Sequence, residues 1–318
     1  MCSLESAQKA NKESAVSERQ WTPIKTEIRI RVHLRLKDFP SIDTALAMSN
    51  LERLELANRI AKSAGQVTLK YFQTDQFSVD YKGDGSPLTV ADREAETHLR
   101  AEIEAHFPDD AIQGEEFPSK PGTSGFGWIL DPIDGTKSFI SGVPLYGTMI
   151  AVEKISDDGA DKPREAIIGS VYFPGLDEGV YAARGHGAFS FKGDQVPVPA
   201  KVSRQQEPGK GVLLTTSVSD FELRQSDQAY AELAKQFYFS RTWGDVYGYY
   251  LVAVGRAEAM VDPELNVWDA AAVQPIIEEA GGRFSDWNGD SKIDTGDAVG
   301  SNGKFHDQIL QILNSQKS

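Results

Sequence analysis

The spacing of apolar residues changes rhythm along the chain, and each rhythm predicts an element. Between Leu51 and Tyr71 apolar residues fall at 51, 54, 56, 60, 64 and 67. That period belongs to an amphipathic helix. A second helix follows Thr89-Val90-Ala91-Asp92 and is predicted to run to about His106. The unbroken apolar run Trp128-Ile129-Leu130 predicts a buried strand over 127–131, and a further strand is expected over 145–153. Val171-Tyr172-Phe173 and Val180-Tyr181-Ala182-Ala183 flank Pro174-Gly175 and read as a hairpin. Beyond a polar stretch at 200–210, strands are expected at 212–214 and 258–261, and helices at 225–236, 244–257 and 269–280. Gly281-Gly282 stops the last of these. Strands and helices mix without a strict βαβ rhythm, so the fold class is α/β or α+β in layers.

The first 45 residues differ in character. Residues 1–20 are polar and predict disorder. Ile28 to Lys37 alternates apolar against mostly basic side chains, the pattern of a half-exposed strand. Met48 precedes the first convincing helix. The expected organisation is therefore a poorly ordered extension over 1–45 and a folded domain over 46–318, with two lobes meeting near 200–210.

Composition narrows the function. The 318 residues carry a net charge of −14, which argues against nucleic acid as a partner. Cys2 is the only cysteine, so there is no disulfide framework and no thiolate metal site. His33, His98, His106, His186 and His306 show no ligand-like pairing. There is no transmembrane run or signal-peptide core, and a cytoplasmic location is the default expectation.

The chemistry concentrates in acids. Asp131-Pro132-Ile133-Asp134-Gly135-Thr136 directly follows the buried strand. It would deliver two carboxylates to the carboxyl end of that strand, where open α/β sheets place their ligands. Two hard oxygen ligands on a rigid Pro-containing turn suit Mg²⁺, which leaves room for substrate phosphate. Thr136 offers a hydroxyl where a helix could begin. An Asp-Pro surface turn with a helix cap is the plain alternative. Four other acidic clusters stand out: Asp92 just before a helix, Glu115 and Glu116 after Gly114, Asp262 at a strand end, and Asp269 opening a helix. Capping and solvated loops would each explain one of them.

These motifs, in this order, resemble the inositol monophosphatase superfamily of Mg²⁺-dependent phosphatases, over roughly residues 50–315. The resemblance implies a fold of alternating helix and sheet layers and two to three Mg²⁺ per active site. It implies that Glu115, Asp131 and the Ile133 carbonyl hold one metal, and that Asp131, Asp134 and Asp269 hold a second. Glu115 would also border a third, with Lys82 nearby. Asp92 and Thr136 match the pair that positions and deprotonates the attacking water, with Glu115 beside them in the catalytic set. Gly135 and Thr136 would offer amides to the phosphoryl group, and Asp245 and Asp262 match positions facing the alcohol part of the substrate. The family is often dimeric, which implies a homodimer.

Lys137 to Thr148, and Arg241-Thr242-Trp243-Gly244-Asp245-Val246-Tyr247-Gly248-Tyr249, are similar to the histidinol-phosphatase branch. Two acids facing the leaving alcohol favour a cationic one. Histidinol phosphate is thus the expected substrate, with inositol monophosphate or another sugar or nucleotide phosphate as alternatives. A non-catalytic metal-binding scaffold is the reading from a different class, although the metal set is intact. Finally, Asp286 to Asp294 mimics the first nine positions of an EF-hand loop. Ser291 replaces the glycine and Asp297 the terminal glutamate, so a polar loop between strands is the expectation there.

Overall fold

The computed structural model describes residues 41–74, 79–81, 87–155 and 164–315. The expected disorder over 1–20, the expected strand over 28–37 and Lys82 lie outside the described residues. All described residues but Ser41 belong to a compact unit, Ile42–Ser318.

Helix α1 spans Ser41–Thr68, ten residues longer at its start than the periodicity predicted. A short hairpin, β1 (Val79–Tyr81) and β2 (Pro87–Thr89), leads into α2 (Val90–His106). Both helices turn apolar stripes inward: Leu56, Ile60 and Ala64 from α1, Ala95, Leu99 and Ile103 from α2. Arg53 anchors α1 through two 2.8 Å bonds to Asp110, whose carboxylate also accepts from Trp128 Nε1 at 2.8 Å.

Among the described residues, β3 (Ala111–Gly114), β4 (Phe126–Asp134), β5 (Gly147–Lys154), β6 (Ala166–Phe173), β7 (Glu178–Ala183), β8 (Gly187–Lys192) and β9 (Val198–Pro199) form one sheet in chain order. Only the β3–β4 pair is parallel. The short helix α3 (Thr136–Ile140) interrupts the β4–β5 connection. The period of two is visible in the packing. Trp128, Leu130, Ile150, Val152 and Tyr172 face α1 and α2, while Ile129, Met149, Ala151, Val171 and Phe173 face the opposite layer.

That opposite layer comes from the rest of the chain. After it runs β10 (Val212–Leu214), α4 (Val218–Leu223), α5 (Asp227–Gln236), β11 (Phe239–Arg241), α6 (Val246–Ala253), β12 (Ala259–Asp262), α7 (Val267–Ala271), α8 (Val273–Glu279), β13 (Arg283–Ser285), β14 (Ala298–Ser301) and α9 (His306–Asn314). The strands make a second sheet in the order β11-β10-β12-β14-β13. Helices α6, α7 and α8 fill the space between the two sheets, packing Val252, Ile276 and Ile277 with Phe173 on one side and Met260 and Phe284 on the other. Leu233, Ile309 and Leu313, from α5 and α9, cover the outer face of the second sheet. The result is the layered architecture expected: helix, sheet, helix, sheet, helix. Both sheets are covered on two faces, so their strands read as apolar runs rather than alternations. No helix among the described residues is long and apolar enough to cross a membrane.

The EF-hand-like segment is a loop between β13 and β14, as its departures from the pattern suggested. Asp286 Oδ1 accepts from the amides of Asn288 (2.9 Å) and Asp290 (2.8 Å), and Lys292 Nζ donates to Asp290 at 2.8 Å. Asp286, Asp290 and Asp294 all act on that ammonium and hold its pKa up, with Asp290 foremost. The cation of this loop is its own lysine. His306 is fully buried between the hydroxyls of Ser285 (2.8 Å) and Ser301 (2.9 Å). Burial pushes its pKa down to about 4, which keeps it neutral and structural.

Candidate active site

Strand β4 carries the acids. Its pairing with β5 breaks between Asp131 and Asp134, so the hexapeptide is a bulged strand end rather than the free turn expected. A bulge is where a strand tolerates proline, because no ladder amide is needed there. The Pro132 carbonyl accepts from Thr148 Oγ1 at 2.9 Å, and Asp131 Oδ1 accepts from the Ile133 amide at 3.0 Å. Gly135 then takes φ +81°, open to glycine at little cost. A Cβ there would also stand 2.8 Å from Asp245 Oδ2. Thr136 begins α3, and its hydroxyl donates to the Ile133 carbonyl at 3.1 Å.

Oxygens of Asp131, Asp134 and Asp269 all lie within 4.8 Å of one another, although they come from β4 and α7. Asp269 does not open its helix, as expected, but sits at the third position of α7. Asn266 is the cap, and Asp269 Oδ2 accepts its amide at 2.7 Å. Asp92 is likewise the third residue of α2, with Thr89 as cap. Thr89 donates to Asp92 Oδ2 through its amide (2.8 Å) and its hydroxyl (2.6 Å). In both cases the capping box fixes the backbone-facing oxygen of the carboxylate. Asp134 Oδ2 accepts from the Val246 amide at 2.6 Å, at the start of α6.

No lysine or arginine among the described residues pairs with Asp131, Asp134 or Asp269. Burial holds Asp131 well above the ordinary carboxylate range, and Glu115, Asp134, Asp269 and Asp92 add to the shift. Asp134 is raised by burial and then by Asp245 and Asp269. Burial also lifts Asp269 and Asp92 to about 7, with Glu115 adding to each. Glu115 stands outside the 4.8 Å group, yet its charge reaches Asp131, Asp269 and Asp92. Asp131, Asp134 and Asp269, brought together without a cationic side chain among the described residues, fit a hard divalent cation.

The linkage has a definite sign. Asp92, Asp269 and Asp262 keep their protons to pH 6–7 in the fold, whereas unfolded aspartate loses its proton near pH 3.9. The native state therefore binds more protons, and the stability of metal-free protein falls as pH rises from about 4 through 7. Cation binding needs the deprotonated forms, so affinity rises over the same interval. In thermal melts, EDTA-treated protein is expected to lose stability between pH 5 and 8. Added Mg²⁺ should stabilise it most at pH 8. A melting temperature independent of both pH and Mg²⁺ would contradict this electrostatic account.

Asp245 and Asp262 were expected to share one role, and the structure separates them. Asp262 is 0% exposed. Its Oδ1 accepts from the Thr216 amide (2.8 Å) and lies 3.3 Å from the Thr215 hydroxyl. Its other oxygen, Oδ2, is buried without a hydrogen-bond partner among the described residues. Thr216 in turn holds the Asp245 amide through its hydroxyl at 2.9 Å. Asp245 is half-buried, 3.5 Å from Ser138 Oγ, and close enough to Asp134 to raise it. Its backbone takes φ 54°, ψ −156°, a region almost reserved for glycine. That conformation also explains why α6 starts at Val246 and not at Gly244.

Residues 49–318 match the model of the inositol monophosphatase family. The chain belongs to that family. It is 43% identical to the histidinol-phosphatase of Chlorobaculum parvum, over 83% of this chain and 98% of that protein. It is 34% identical to the histidinol-phosphatase of Mycobacterium tuberculosis, over 82% and 98% respectively. Among solved structures, the Thermotoga maritima IMPase superposes with a TM-score of 0.70 at 28% identity, covering 83% of this chain and 97% of that one. As a member of the inositol monophosphatase family, the chain is a phosphoric monoester hydrolase with a site for a metal cofactor.

Sequence reasoning passed over Thr216 and Glu96, which touch the site residues from behind. Glu96 carries a readable signal: it lies four residues after Asp92, on the same helical face.

Proposed function

We propose that this phosphatase is Mg²⁺-dependent and that its substrate is histidinol phosphate. The family assignment and the relatives named histidinol-phosphatase support the reaction class and the substrate. One observation of geometry favours the substrate further. A half-buried carboxylate, Asp245, stands at the edge of the acid cluster in a conformation costing about 1–3 kcal/mol. Strain of that size at a site edge suits a residue kept for its charge. Histidinol phosphate offers an ammonium and an imidazole to meet it.

In this reading Glu115, Asp131 and the Ile133 carbonyl would hold one Mg²⁺, and Asp131, Asp134 and Asp269 would hold another. When bound, the cations lower the pKa of water and neutralise charge on the phosphoryl oxygens. The protein's residues do the rest. The two bonds from Thr89 occupy Asp92 Oδ2 and leave Oδ1 to take a proton from the attacking water. In the metal-free protein burial raises this carboxyl to about 7. Thr136 orients the water, and the Gly135 and Thr136 amides meet the phosphoryl group. Asp245 pairs with the cationic alcohol. The reading carries with it a cytoplasmic homodimer acting on a small phosphate ester, with neither nucleic acid nor membrane as partner.

Phosphate release from histidinol phosphate and from inositol 1-phosphate, each with Mg²⁺ and with EDTA, tests the proposal. The expected result is Mg²⁺-dependent turnover with kcat/KM at least tenfold higher on histidinol phosphate, a preference of about 1.4 kcal/mol. Equal or better turnover of inositol 1-phosphate would overturn the substrate. Full activity in EDTA would overturn the metal.

A further inference from the structure

The loop that carries Glu115 is held from beneath by a buried acid. Glu96 is 0% exposed, one turn after Asp92 on α2. Its Oε2 accepts the Glu116 amide at 2.8 Å, and its Oε1 accepts Arg100 Nε at 2.7 Å. Arg100 reaches on to the Phe117 carbonyl at 3.0 Å. The fit is close: a Cβ on Gly114 would stand 2.0 Å from Glu96 Oε1 and 2.4 Å from its Cδ. On the other side, the Glu115 amide donates to the Leu130 carbonyl at 3.2 Å, one residue before Asp131. Glu115 is thus clamped between β4 and a side chain of α2. A buried carboxylate needs such partners, and Arg100 supplies the balancing charge.

We infer that Glu96, backed by Arg100, is a positioning residue that fixes Glu115 relative to Asp92 and Asp131 and thereby sets the affinity of the site for divalent cations. It touches none of the reacting atoms. It acts through the Glu115-Glu116 backbone, and Gly114 is glycine because the carboxylate occupies the space its side chain would need. The inference rests on the proposed metal site. Groups that orient metal ligands from behind are typically worth 10–100-fold in affinity.

Mn²⁺ binding to the whole chain, followed by the EPR signal of free Mn²⁺, reads the effect without turnover. Wild type, Glu96→Gln, Glu96→Ala and Arg100→Gln are compared, with Glu104→Gln, exposed on the same helix, as control. The expected dissociation constant rises about 10–100-fold in Glu96→Ala. Glu96→Gln should lose less, because its amide carbonyl still accepts from Glu116, and Arg100→Gln should fall between wild type and Glu96→Ala. The control should match wild type. At saturating Mg²⁺ the kcat of Glu96→Gln should recover most of its loss, a split that a general loss of stability would not produce. Should Glu96→Ala fail to fold, the Gln variants decide. Folded Glu96→Gln and Arg100→Gln proteins with wild-type Mn²⁺ affinity would overturn the positioning role. A wild-type protein that binds no Mn²⁺ would instead overturn the metal reading beneath it.

Discussion

Replacing Asp131 with Asn is expected to cut turnover by about three orders of magnitude, roughly 4 kcal/mol of transition-state stabilisation. The same change should raise the melting temperature of the metal-free protein. The two effects share one cause. Asp131 is 2% exposed and lies among Glu115, Asp134, Asp269 and Asp92, so its charge is costly without a counter-ion. Asn keeps the shape, and its carbonyl can still accept the Ile133 amide that Asp131 Oδ1 now takes at 3.0 Å. The buried repulsion disappears, and so does a ligand proposed to serve two cations. Activity assays with Mg²⁺, paired with melts in EDTA, read both quantities on one preparation. Near-wild-type turnover would refute the ligand assignment. Lost activity with a lower melting temperature would point to a folding defect instead.

Asp245→Asn tests recognition rather than metal binding. The expected loss on histidinol phosphate is about thirtyfold in kcat/KM, or roughly 2 kcal/mol, because an ion pair in a half-buried cleft exceeds a surface one. Hydrolysis of a phosphate ester with a neutral alcohol should fall much less, since that substrate brings no cation. Asp245→Gly adds a second reading. Glycine relieves the φ 54°, ψ −156° conformation, so this variant should be more stable than wild type by about 1 kcal/mol while losing the same discrimination. Equal losses on both substrates would remove Asp245 from charge recognition and leave it a support for Asp134 and α6.

The placement of Asp262 shows what kind of information a linear reading lacks. Asp245 and Asp262 look alike in sequence, each an acid next to an element boundary. Their difference comes from pairing across the second sheet. Strand β12 places Asp262 beside Thr215 and Thr216 at the end of β10, under the segment that Asp245 tops. A contact between residues 46 apart in the chain depends on register, and local composition does not specify register. The capping boxes of Asp92 and Asp269 were misjudged for a smaller reason. Each acid was placed at the helix boundary, whereas Thr89 and Asn266 cap and the acids answer from the third position.

Taken alone, the sequence determined the main helices and the central strands, but not β1, β2, β3, β8, β9, β11, α4 or α9. An apolar period of 3.6 set the helices and unbroken apolar runs set the strands, because burial of a stripe or of both faces is a local demand. The acidic hexapeptide after a buried strand, with Gly-Glu-Glu before it and Trp-Asp after it, carried the resemblance to the inositol monophosphatase family, to which the chain belongs. Tertiary structure decided the distances. It gathered Asp131, Asp134 and Asp269 within 4.8 Å, slid Glu96 beneath Gly114, buried Asp262 and left Asp245 at the edge. These outcomes follow from how two sheets and the helices between them stack, and stacking is settled by the whole core at once rather than by any one segment.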